Sequence, residues 1–126
     1  MRDARAGAPG ALADAARYAR RDDLARRALL AEQQRFPASA EAHDATFLLA
    51  RLDEAKGDAS GALALYGRYL AENPSATYAS EALGRRMNLT RRVLGDERAR
   101  PLAEEYLRRF PQGTYALSAR SLRGTR

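Results

Sequence analysis

Apolar positions recur along this chain with the period of a helix. Ala45, Leu48, Leu49 and Leu52 form one stripe, and Ala62, Leu65, Tyr66, Tyr69 and Leu70 form another, each on one face of a 3.6-residue turn. Between the stripes stand breakers: Gly57-Asp58, Gly95-Asp96, with Arg21-Asp22 at the corresponding place, and the prolines Pro37, Pro74 and Pro111. The pattern predicts seven helices, over residues 8–20, 22–35, 39–56, 59–72, 76–94, 97–109 and 114–123. The Asp after each turn is suited to cap the next helix, because its carboxylate accepts from first-turn N–H groups and suits the positive end of the helix dipole. Each proline ends a second helix, having no N–H to donate and disfavouring α geometry in the residue before it. Two positions conflict with the pattern. Gly84 lies inside the fifth helix in the column of Phe47, where it would make room for an aromatic ring. Pro101 fits only if the sixth helix starts near Ala99 or kinks.

The three prolines are 37 residues apart, and other columns repeat with them. Ala25, Ala62 and Ala99 coincide, as do Ala42, Ala79 and Ala116, and Ala45, Ala82 and Ala119, while Thr77-Tyr78-Ala79 recurs as Thr114-Tyr115-Ala116. A fixed period of this length is the mark of stacked supersecondary units, none of which can bury its apolar face alone. The expected architecture is all-α: a right-handed helical-hairpin solenoid of three helix pairs with a C-terminal capping helix. Residues 1–126 are expected to form one domain, with repeats at 8–37, 39–74 and 76–111 and the cap at 114–123, as a fragment of a larger protein.

Composition narrows the classes. Ala (28) and Leu (17) exceed a third of the chain, whereas Val occurs once and Ile not at all, which removes the β-branched residues that sheets favour. With no Cys, disulfide scaffolds, thiol enzymes and structural zinc sites are excluded, and with a single His so is a multi-histidine metal site. No apolar run approaches the roughly 20 residues of a membrane span, and MRDARAGAPG lacks the apolar stretch of a signal peptide. The compartment stays open. The net charge of +6 arises from 21 Arg and one Lys against 16 acidic residues, and it is uneven: residues 37–73 carry 3 basic and 6 acidic groups, residues 74–126 carry 11 and 5.

The run from His43 to Pro74 resembles a tetratricopeptide (TPR) repeat. Ala50 stands at the small position of the first helix, Gly57-Asp58 at the turn, Ala62 at the helix-contact alanine, Tyr66 at the aromatic and Pro74 at the end. The 37-residue spacing, with FPASAEAHDA, NPSATYASEA and FPQGTYALSA after the boundaries, is similar to the extended TPR variety of bacterial envelope proteins. These include relatives of the Tol-Pal coordinator and outer-membrane assembly lipoproteins, and the TPR segment of some FecR-like signal transducers. The first unit departs from the pattern, with Arg21 at the turn glycine and Leu29 at the aromatic. The resemblance implies protein binding, in the cell envelope or cytoplasm of a bacterium, and brings no catalytic residues.

Candidate chemistry is sparse. Asp22, Asp23, Glu104 and Glu105 each stand four residues before an Arg, the orientation of helical ion pairs rather than of an acid/base pair. His43 has no Ser, Cys or second His at a spacing that would complete a catalytic or metal site. The fifth helix collects Arg85, Asn88 and Arg92 on one face, with Arg86 and Arg91 flanking, and the third helix offers Asp44, Phe47, Arg51 and Glu54. In the arrays this chain resembles, the first helix of each pair lines a concave groove, which makes these seven residues the candidate partner-binding groove, with Phe47 as apolar anchor. The six tyrosines are expected mostly at core positions. The reading is a non-enzymatic scaffold for a protein or peptide partner, with no cofactor, metal or small-molecule substrate and with self-association through repeat ends as a further route. The alternative is a polyanion- or nucleic-acid-binding helical domain using the basic C-terminal half.

Overall fold

A computed structural model describes residues 4–124, with side chains described from Arg17 onward except that of Tyr18, whose expected core role lies outside the described residues. The chain is all-helical, with no strand among the described residues. Among the described residues six helices follow in order: α1 (Ala4–Arg35), α2 (Ala40–Ala55), α3 (Ala59–Glu72), α4 (Ala79–Leu94), α5 (Asp96–Arg109) and α6 (Ala116–Arg123). Each packs chiefly on the next in the chain, α2 with α3 and α4 with α5 forming the two closest pairs.

The turns explain where the helices end. Gly57 and Gly95 take positive φ, at 90° and 100°, a backbone region that costs other residues about 1–2 kcal/mol. At the corresponding place Arg21 cannot do this cheaply, and the expected break at Arg21-Asp22 is absent. Residues 8–20 and 22–35 belong to one 32-residue helix, so the first of the three expected pairs is a single helix. Asp22 instead spans one helical turn to Arg26, 3.6 Å away, and Arg26 reaches Asp53 of α2 at 2.8 Å. From α2 onward the boundaries fall where the sequence puts them for α3 and within three residues elsewhere.

The caps divide. The Asp58 carboxylate accepts from the Gly61 N–H at 2.9 Å, as the pattern requires. Asp96 does not cap α5: Gly95 holds that position, and the Asp96 side chain receives the Arg91 guanidinium at 2.9 Å. Pro101 stands in the second turn of α5, which begins at Asp96 and not at Ala99. There it forgoes one helical hydrogen bond.

The 37-residue period is visible in the backbone. Ser39 N–H donates to the Phe36 carbonyl at 3.0 Å, Ala76 N–H to Asn73 at 3.1 Å and Gly113 N–H to Phe110 at 2.9 Å. Between these turns the core is built of small residues and tyrosines. Ala62, Ala82, Ala99, Ala103 and Ala119 let helices approach closely, and Tyr66, Tyr69 and Tyr106 fill the space between them with no exposed surface. Ala116, Ala119 and Leu122 bury one stripe of α6, which packs against α5.

Candidate functional site

The seven candidate residues divide between the core and the surface. Phe47 is only 2 % exposed: its ring stacks on Tyr78 at 4.6 Å and lies tilted to Tyr66 and Tyr69 at 5.9 and 5.8 Å. It is a core residue and offers no ring to a partner. A helical stripe alone does not say which of two apolar faces turns inward, and α2 carries apolar residues on both. Gly84 does make room for an aromatic ring, that of Tyr115, whose Cε2 would lie 2.7 Å from a Cβ added there. The column of Phe47 meets Tyr78, and one repeat later the column of Gly84 meets Tyr115.

Two tyrosine hydroxyls hold the repeat boundaries. Tyr69 donates to Asp44 at 2.8 Å and accepts from the Tyr78 N–H at 3.0 Å, and Tyr106 accepts from the Tyr115 N–H at 3.1 Å. The recurrence of Tyr69 as Tyr106 and of Tyr78 as Tyr115 was the sequence signal for these bonds. Burial pushes the Tyr69 hydroxyl up to about 12, with the Asp44 carboxylate adding to the shift. His43 lies against this ring, stacked at 4.3 Å, with Nε2 3.2 Å from the Tyr69 carbonyl.

Arg85 lies at the centre of a charged network joining α2, α3, α4 and the start of α6. It bonds Glu81 at 2.7 Å and lies 3.5 Å from Glu54; Glu54 accepts from Tyr66 at 2.6 Å, and Glu81 accepts from Tyr115 at 2.9 Å. Burial would raise the Glu81 pKa, but the hydrogen bonds from Tyr115 and Arg85 outweigh it and hold Glu81 below the ordinary carboxylate range. Tyr66 is raised by burial and by the neighbouring Glu54, and Tyr115 is pushed up to about 12 for the same two kinds of reason, its carboxylate being Glu81. Arg51, exposed on α2, is close enough to act electrostatically on both Tyr66 and Glu81.

Of the groove candidates, then, Asp44, Glu54 and Arg85 are engaged with their neighbours. The side chains of Asn88 and Arg92 make no hydrogen bond or ion pair among the described residues, and Arg92 is exposed. Arg91 pairs with Asp96 at 2.9 Å, and on α5 Glu105 pairs with Arg109 at 3.2 Å. No group of His, Asp or Glu among the described residues could hold a metal ion, and no described helix is long and apolar enough to cross a membrane. Comparison with protein-family models matches none of them, and comparison with the curated proteins finds no similar sequence.

Proposed function

We propose that the chain is a non-enzymatic protein-interaction module, a TPR-like right-handed array of helical hairpins that holds a partner segment along the side formed by α2 and α4. The supporting observation is the network around Arg85. It ties α2, α4 and α6 side by side through Glu54, Glu81 and Tyr115, while Arg51, Asn88 and Arg92 on the same helices keep donors available. Donors fixed on packed helices bind with little further loss of conformational freedom. Two guanidiniums and an amide suit a carboxylate, so the partner is an acidic segment or a chain terminus. The resemblance to extended repeats of bacterial envelope proteins supports a scaffolding or signalling role in such an assembly.

The test uses an array of acidic and free-carboxylate peptides, followed by titration of the tightest binder at two salt concentrations. Arg51→Glu and Arg92→Glu are expected to weaken binding at least tenfold at both, with Arg123→Glu close to the parent. Equal losses for all three, disappearing at high salt and matched by binding to heparin, would instead establish the polyanion reading, because counterion release makes such binding steeply salt-dependent.

A further inference from the structure

The two joints between neighbouring first helices are built differently. α2 and α4 each pack on α3, and α4 and α6 each pack on α5, so one first helix meets the next chiefly through side chains. At the joint between α4 and α6 the link is a hydrogen bond: the Tyr115 phenol donates to Glu81 at 2.9 Å, and its ring rests on Gly84. The same columns at the joint between α2 and α4 hold Tyr78, Asp44 and Phe47. The ring contact recurs there, Tyr78 on Phe47, but the hydrogen bond does not. Asp44 accepts instead from Tyr69 at 2.8 Å, and the Tyr78 hydroxyl makes no hydrogen bond among the described residues. In its place stands an ion pair, Arg85 to Glu54 at 3.5 Å, the one hydrogen bond or ion pair that joins α2 to α4 among the described residues.

Of the contacts around Arg85, this is the one set to open. Arg85 lies 2.7 Å from Glu81, one turn away on its own helix, and 3.5 Å from Glu54. When Arg85 leaves, Glu54 keeps a donor, since the Tyr66 hydroxyl bonds it at 2.6 Å, and Arg85 keeps Glu81. Separation therefore escapes the cost of stranding a buried charge. The Arg85 and Glu54 side chains retain 26 % and 20 % of their surface in solvent, where such an attraction is modest and is screened as salt rises. Behind the joint, α3 holds both helices through the apolar core of Phe47, Tyr66, Leu83 and Met87, which screening does not weaken.

We propose that Arg85 and Glu54 form a latch between α2 and α4, and that its release lets this side of the array widen about the apolar packing on α3, at this joint and not between α4 and α6. The latch is a property of the free chain. Its use by a partner rests on the reading of this side as an anion-binding groove: an incoming carboxylate takes Arg85 from Glu54 more readily than from Glu81, and binding then spreads α2 from α4.

The chain has no cysteine, so spin labels attach only where a thiol is introduced. Ala55→Cys with Val93→Cys spans the first joint and Val93→Cys with Ser121→Cys the second, all three positions being exposed. Distances are measured by double electron–electron resonance on the full, unliganded chain at about 0.01 M and about 1 M sodium chloride. Across the first joint the distance is expected to lengthen and broaden with salt, and across the second to stay constant. Glu54→Gln, which keeps an acceptor for Tyr66, is expected to give the longer distance already at low salt and to abolish the salt response. Arg68→Gln, which breaks the exposed Arg68–Glu72 pair within α3, is expected to keep the parent's pattern. A first joint that ignores both salt and Glu54→Gln, or two joints that respond alike, would overturn the latch, whether or not a peptide binds the groove. The salt series on the otherwise unaltered network decides even where a variant folds poorly.

Discussion

Gly84→Ala sets two physical effects against each other. In a helix interior alanine is favoured over glycine by about 1 kcal/mol, so propensity alone predicts a more stable protein. The site predicts the reverse. A Cβ there would stand 2.7 Å from Tyr115 Cε2 and closer still to two other ring carbons, against an optimal carbon–carbon separation of about 3.5–4.0 Å. The ring has little freedom to withdraw, since its hydroxyl donates to Glu81 at 2.9 Å and its backbone N–H to Tyr106 at 3.1 Å. Forcing a methyl group into a packed site costs about 1–3 kcal/mol, and displacing the ring weakens a bond to a carboxylate of about 1.5–3 kcal/mol. After the propensity gain the net loss is about 2 kcal/mol, or a fall in Tm on the order of 6–10 °C for a domain of this size. Thermal and urea melts measure it, and the decisive sample is Gly84→Ala in a Tyr115→Ala background. With the ring gone the same substitution is expected to stabilise by about 1 kcal/mol. A single variant at or above the parent Tm, or an equal loss in both backgrounds, would refute the assignment of Gly84 to the Tyr115 ring.

Tyr69→Phe removes a hydroxyl that serves Asp44 and the Tyr78 N–H together, and it is expected to lower urea stability by about 1–3 kcal/mol; Tyr78→Phe, whose hydroxyl makes no hydrogen bond among the described residues, should stay within about 0.5 kcal/mol. Alkaline pH is expected to act in the same places. Tyr69 and Tyr115 hold their protons up to about 12 in the folded chain, against about 10 when unfolded, so their contribution is complete below about pH 10 and is lost as pH rises through 12. Glu81, held below its ordinary value, gives the opposite limb, its contribution disappearing as pH falls through the acid range. A urea midpoint that stays flat from neutral pH to pH ~11.5 would contradict the alkaline limb.

Much of the fold was legible because it depends on local chemistry. The absence of Ile and near-absence of Val, the stripes and the Gly-Asp turns place α3 at its observed limits and mark Gly57 and Gly95 as turn residues, where the backbone takes positive φ. The same reasoning misplaced the first pair by weighting Asp22 as a cap more heavily than the missing glycine at Arg21, although Arg20, Arg21, Asp22 and Asp23 contain no helix breaker. The candidate face was read less well. Phe47 and Arg85 were assigned by helical angle, which fixes neighbours on one helix but not what the next helix brings. Phe47 is covered by Tyr78, and Arg85, whose neighbour Glu81 is legible one turn earlier on α4, is also taken up by Glu54 of α2. The tyrosine hydroxyl bonds were within reach of the repeat alignment, since Tyr69 and Tyr106 fall in one column and Tyr78 and Tyr115 in another.

Those hydroxyl bonds also fix how the chain opens. The N–H groups of Tyr78 and Tyr115 lie just before the first turns of α4 and α6, where an amide ordinarily meets water and exchanges its proton freely. Here each is held instead by the buried phenol of a preceding helix. Its proton leaves only when that helix and the one beginning after it come apart. Deuterium uptake at these two amides therefore times the parting of one repeat from the next, separately at each boundary, and a difference between the two rates states which end of the array unravels first.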